Sequence, residues 1–194
     1  VQAQVLASGP DSPWEAIHRL HIEAIHAARR RVWLVTPYFV PSDPALMALT
    51  SSALSGLDVR LLVPRMSDSR LVTYAARSYF DELMAAGAKV YEYGPRMLHT
   101  KALLVDDDVA IIGSANFDPR SFQLNFEVSV LFRDADVGGA SDRRRPCGRE
   151  HGPTDIKGVS HSYRAAHGAA HVDAQRRRRR SPPPARRPRR RPYV

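Results

Sequence analysis

Up to Phe132 the chain alternates short β-branched and aliphatic runs with stretches of helical periodicity, and beyond it that alternation stops. Strands spaced by helices of ordinary length predict an α/β sandwich, a mixed sheet flanked by helices. Residues 1–6 are β-compatible. Ser12-Pro13-Trp14-Glu15 matches a capping box with Pro in the first helical position, and Ile17, Leu20, Ala24, Ile25 and Ala28 then recur at helical spacing to about Arg29. Strands are expected at 32–36, 59–63, 89–93, 99–105, 109–113 and 126–132. Asp43-Pro44 opens a helix through Leu54 that Gly56 ends, and one long helix is expected over 69–86, ended by Gly87.

Charge divides the chain at the same place as pattern. Residues 1–137 carry 13 Lys and Arg against 16 Asp and Glu, a net of −3, while residues 138–194 carry 16 against 4, a net of +12, which together make +9. The pI near 10.3 therefore belongs to the tail, and it gives no nucleic-acid surface to the front domain. The tail holds 15 Arg and 7 Pro and few aliphatic residues, so it cannot bury enough apolar surface to offset its chain entropy and is expected to be disordered. It reads either as a basic tail for nucleic acid or anionic lipid, or as residues translated out of frame from a GC-rich gene. The abrupt end of the strand–helix pattern favours the second. A single cysteine, Cys147, excludes an internal disulfide framework and a Cys-rich zinc module. No apolar run is long enough for a transmembrane helix, and the start, Val1-Gln2-Ala3-Gln4, has neither an initiator Met nor a signal-peptide pattern, so the chain is expected to begin mid-protein.

The chemistry concentrates between residues 99 and 127. Residues two apart on a strand share a face, so His99 and Lys101 point together, as do Ser114 and Asn116. A hairpin centred on Asp107-Asp108 would set Lys101 beside Ser114 and His99 beside Asn116. An imidazole, a fixed cation, a hydroxyl and an amide then converge, with Gly113 leaving room for close approach. Such a set suits a phosphate diester: Lys, Ser and Asn hold the non-bridging oxygens while His attacks phosphorus or protonates a leaving oxygen. Glu127 on the next strand is placed to accept the second imidazole N–H.

The spacing His99-x-Lys101-x4-Asp106-x6-Gly113-Ser114-x-Asn116 resembles the HKD motif of the phospholipase D superfamily, with Glu127 where that family places its acid. The stretches "ASGPDSPWEAIH", "VTPYFVPSD", "DVRLLVP", "DSRLV", "RSYFDEL" and "GSANFDPRSFQLNFE" resemble the second catalytic half of the bacterial cardiolipin synthases, over residues 1–136. The resemblance implies a phospholipase D-like lobe at the bacterial cell membrane. Such a lobe works without a metal or other cofactor on phosphatidylglycerol and other anionic phospholipids. It further implies transfer of a phosphatidyl group between two phosphatidylglycerols through a phosphohistidine, giving cardiolipin and glycerol. The family has two HKD motifs facing each other; this sequence has one, since no other His is followed two residues later by Lys. A first HKD lobe is thus the expected partner, in the same polypeptide or as a second copy. In the two-lobed enzymes the first-lobe His is the nucleophile and the second-lobe His the acid, the role that would fall to His99.

Other residues carry weaker expectations. Tyr38 and Phe39 line the acyl or headgroup channel on the family's "PYF" pattern, with plain packing as the alternative. Arg120 is a candidate for pairing with a lipid phosphate, and Asp106 for bracing the motif through hydrogen bonds. His18 and His21, one turn apart, have no carboxylate or Cys to complete a metal site, and Asp107 and Asp108 read as turn formers. Two other function classes stand beside the transferase. One is a nuclease completing its site as a homodimer, against which the −3 charge argues because a nuclease needs a basic groove. The other is a non-catalytic binder of nucleic acid or anionic membrane acting through the tail.

Overall fold

The computed structural model describes residues 2–94 and 98–134. In chain order the elements are β1 (Gln2–Ser8), α1 (Ala16–His26), β2 (Arg31–Val35), α2 (Asp43–Leu54), β3 (Asp58–Pro64), α3 (Arg70–Arg77), α4 (Phe80–Ala85), β4 (Lys89–Tyr93), β5 (Ala102–Val105), β6 (Val109–Gly113) and β7 (Glu127–Arg133). The strands make one seven-stranded sheet in the order β1-β7-β6-β5-β2-β3-β4. Strands β2, β3 and β4 run parallel and the other neighbours antiparallel, so the sheet is mixed, as the sequence pattern predicts.

The pleat assigns the faces. Val32 and Leu34 of β2, Val59, Leu61 and Val63 of β3, Leu103 and Val105 of β5 and Ile111 of β6 are buried in one cluster with Ile17 and Ile25 of α1, Ala45, Ala48 and Leu49 of α2 and Leu83 of α4. Burying a side chain of this kind contributes about 2 kcal/mol against leaving it in water. On the opposite face Trp33 lies between two guanidinium groups, those of Arg31 (4.6 Å) and Arg60 (4.7 Å), and its indole N–H donates to Asp58.

Three local expectations are corrected. The capping box does not form: α1 begins at Ala16, Ser12 closes a turn onto the Gly9 carbonyl, and Glu15 sits at φ 45° with its carboxylate drawn to His18. The long helix over 69–86 is two helices. At Ser78 and Tyr79 the backbone tightens onto the Ala75 and Ala76 carbonyls, the Ser78 hydroxyl takes the Ala75 carbonyl (2.7 Å), and Tyr79 turns its ring edge onto Phe39 in the core. The hairpin is shifted by one residue. Its pairs are Ala102–Ile112, Leu103–Ile111 and Val105–Val109, so Asp106, Asp107 and Asp108 all belong to the turn. Asp106 leaves the strand at φ 51°, a conformation Asp tolerates, because its carboxylate accepts from three backbone N–H groups of 29–31. Residues 138–194, with Cys147, lie outside the described residues.

Candidate active site

One end of the sheet gathers the carboxyl ends of β1, β2, β3 and β6 with the amino ends of β5 and β7. His99 and Lys101 enter this end just before β5, Ser114 and Asn116 leave it just after β6, and Glu127 opens β7. The sequence therefore places its five chemical residues at strand ends, where side chains are free of the ladder but anchored by it.

The register shift changes who meets whom. The Lys101 carbonyl accepts from the Gly113 N–H (3.3 Å), so Gly113, and not Ser114, stands opposite Lys101. The Lys101 ammonium bends back over its neighbour, 3.3 Å from both ring nitrogens of His99 and 3.1 Å from the His99 carbonyl oxygen. Burial pulls the Lys101 pKa down, and the nearby carboxylates of Glu127 and Asp118 oppose that pull.

Glu127 does not hold the imidazole. Its Oε2 takes the Ser114 hydroxyl proton in a short hydrogen bond, and its Oε1 accepts from Asn125 Nδ2 (3.1 Å). Ser114 Oγ in turn accepts from the Val128 N–H (3.0 Å). The Ser114 proton is thus committed to Glu127 and to neither Lys101 nor Asn116. The Asn116 amide nitrogen donates to Ser121 Oγ (3.2 Å), while its oxygen is buried with no hydrogen-bond partner. Among the described residues no hydrogen bond joins His99 to Asn116 or to Glu127.

The structure places four other expected site residues as follows. Asp106 is at the opposite end of β5 from Lys101, five residues or about 16 Å of strand away. Burial alone would raise its pKa, but the backbone N–H groups of Arg31, Arg30 and Arg29 and the Arg30 charge outweigh it and hold the pKa below the ordinary Asp range. It braces the β5–β6 turn against the start of β2, and none of its hydrogen bonds reaches the cluster. Phe39 is fully buried, stacked on Phe117 at 5.8 Å, and lines no channel. Gly113 is needed by the sheet: a Cβ there would sit 2.5 Å from the Val128 carbonyl oxygen and 2.7 Å from Ser129 Cα. Arg120 is exposed at the start of a π-helical turn, Arg120–Leu124.

Tyr38 is half-buried after β2. Its hydroxyl donates to Asp68 (2.5 Å), and that bond, then partial burial and the charges of Asp68 and Asp118 raise its pKa to about 12. Asp118 lies between Tyr38 and Lys101 electrostatically, acting on both. Neither Asp68 nor Asp118 falls within the motif spacing; Asp118 lies two residues beyond Asn116.

Residues 21–142 match the family described as cardiolipin synthase, PLD-like domain. The chain belongs to this phospholipase D-like family. It is 53% identical over 133 residues to cardiolipin synthase 2 of Bacillus anthracis, covering 69% of this chain and 26% of that protein. It is 45% identical over 135 residues to cardiolipin synthase A of Pectobacterium carotovorum subsp. carotovorum, covering 70% and 28%. The chain thus spans roughly a quarter of these relatives. Among solved structures, the phospholipase D family member Nuc of Salmonella typhimurium shares the fold with a TM-score of 0.57 at 21% identity, over 69% of this chain and 84% of that one. Phosphatidylserine synthase of Haemophilus influenzae does so with a TM-score of 0.53 at 17% identity, over 68% and 34%.

Proposed function

We propose that this chain is the acid-bearing lobe of a phosphatidyltransferase that converts two phosphatidylglycerols to cardiolipin and glycerol. The observation that carries the reading is the gathering of His99, Lys101, Asn116 and the Ser114–Glu127 pair at one end of the sheet, an imidazole among phosphate donors with its carboxylate held apart. The identity of over half to cardiolipin synthase 2 supports the choice of lipid substrate.

In this scheme Lys101 and the free Asn116 N–H hold the non-bridging oxygens. A nucleophilic imidazole from a facing lobe forms the P–N bond as the P–O bond to glycerol breaks, and His99 gives its proton to that oxygen. The primary hydroxyl of a second phosphatidylglycerol then returns its proton to His99 as it forms the new P–O bond and the P–N bond breaks. Glu127 sets Ser114. No metal or cofactor enters. The acyl chains place the reaction at a membrane surface; among the described residues no helix is long and apolar enough to cross a membrane.

The test is a chimera in which this lobe replaces its counterpart in the Bacillus anthracis relative. The chimera should form cardiolipin from phosphatidylglycerol, and His99→Ala should reduce turnover by about 10²–10⁴, the usual weight of a general acid. Near-normal synthesis by the His99→Ala chimera would refute the assignment.

A further inference from the structure

Between Asn116 and Glu127 the chain makes the π-helical turn Arg120–Leu124, a widened turn of a kind that recurs at functional sites. Both ends of this turn reach the site. Ser121 Oγ, buried, accepts from Asn116 Nδ2, and the Ser121 N–H donates to the Asp118 carboxylate (2.7 Å). At the other end the Asn125 N–H closes onto the Arg120 carbonyl (3.0 Å), and the Asn125 side chain donates to Glu127.

The middle of the turn is held from outside. Phe122, 1% exposed, stacks face to face on the His18 ring at 4.5 Å and 13°. That imidazole is fixed at both nitrogens, Nδ1 against Glu15 Oε2 and Nε2 against Ser42 Oγ, each 2.8 Å. Ser42 stands at the start of α2, yet its hydroxyl does not cap that helix; it is spent on His18. Glu15 is held in a left-handed conformation and also accepts from Gln123 Nε2 (3.3 Å), inside the π-helical turn itself. One ring therefore ties the starts of α1 and α2 to the turn that carries the partners of Asn116 and Glu127. A Leu or Phe would fill the same space without the desolvation of a buried imidazole, so packing alone does not account for the choice of residue.

We propose that His18 is a positioning residue: by locking the π-helical turn through Glu15, Ser42 and Phe122 it sets the Asn116 amide and the Glu127 carboxylate for a phosphodiester. This rests on the function proposed above. The site then depends on a hydrogen-bonded ring buried behind it, which never touches substrate.

The experiment uses the full chain with sn-glycero-3-phosphoglycerol, the water-soluble deacylated diester, as the probe. His18→Phe keeps the stack on Phe122 and drops both hydrogen bonds; Ser121→Ala cuts the last link with His18 intact; Ser121→Thr restores the hydroxyl. Probe affinity, thermal unfolding and the side-chain amide NMR signals of Asn116 and Asn125 are read together. His18→Phe should shift both amide signals and weaken the probe about tenfold, Ser121→Ala should shift the Asn116 signal and weaken the probe with little change in melting temperature, and Ser121→Thr should restore both. A His18→Phe protein that melts earlier but keeps wild-type amide signals and affinity overturns the proposal, as does a Ser121→Ala protein indistinguishable from wild type. If the wild-type chain binds no probe, or binds it as well with Lys101→Ala, the proposed function fails and takes this inference with it. Lys101-dependent binding that both His18→Phe and Ser121→Ala leave intact sinks the inference alone.

Discussion

At the scale of single residues, charge and burial separate function from support. His21 lies fully inside the aromatic cluster, edge-on to Phe117, with Nδ1–H donating to the Ile17 carbonyl (2.7 Å). Burial lowers its pKa from 6.5 to about 4, against the Ile17 hydrogen bond and with help from His18. The folded chain refuses the proton that the unfolded chain accepts, so this contribution to stability is complete above pH 6.5 and is lost as pH falls from 6.5 toward 4. A shift of this size corresponds to roughly 3 kcal/mol across that window. Urea unfolding at pH 7 and pH 4.5 should show the loss, and His21→Leu should flatten the slope. Asp106 supplies the opposite case, a motif residue that works as a brace. Asp106→Asn should cost about 2 kcal/mol in urea unfolding, the worth of hydrogen bonds to a charged acceptor, while leaving the affinity for glycerophosphoglycerol unchanged. A loss of affinity without loss of stability would return Asp106 to the site.

At the scale of elements, the strands were readable because their apolar runs are short and bounded by Pro, Gly and Asp, and β2, β3, β4, β6 and β7 fall within a residue of where those signals put them. The errors came where side chains competed with the backbone pattern. Glu15 answers His18 in place of Ser12, Ser78 answers the Ala75 carbonyl and Tyr79 the core in place of a continuing helix, and Asp106 answers three amides in place of the ladder. Two of these contacts, Tyr79 with Phe39 and Asp106 with residues 29–31, join residues distant in sequence, and no local periodicity announces them. The last had the largest consequence for the site. A one-residue slip moves every side chain of the partner strand to the other face, so it exchanged Ser114 for Gly113 opposite Lys101. The hairpin read from the sequence gave the motif residues the wrong neighbours: Ser114 bonds Glu127, and among the described residues the His99 ring meets Lys101. Gly113→Ala tests the hairpin directly. The added Cβ meets backbone on β7, which cannot move without breaking the β6–β7 ladder, so a loss of about 1–3 kcal/mol is expected by thermal unfolding. A stable Gly113→Ala protein with weakened phosphodiester binding would show instead that the space belongs to the ligand.

At the scale of the whole molecule, the decisive number is one. Exchange at phosphorus with a covalent intermediate needs one imidazole to attack and another, on the far side, to protonate the leaving oxygen. The sequence holds a single His-x-Lys pair. Other histidines among the described residues cannot substitute. His18 is held at both ring nitrogens, His21 is buried and neutral, and His26 ends α1 three residues before Arg29, whose N–H binds Asp106 at the end of the sheet opposite His99. Two copies could pair their His99 residues only if this surface, which in the proposed enzyme faces a different lobe, were also complementary to itself. The full chain should therefore form no cardiolipin from phosphatidylglycerol in detergent micelles, while the chimera with the Bacillus anthracis relative should. Mass spectrometry of the lipid extract decides it, with the His99→Ala chain as the baseline. Cardiolipin from the wild-type chain above that baseline would mean that two copies assemble a working pair of imidazoles, and the same preparation should then sediment as a dimer at the concentration where activity appears.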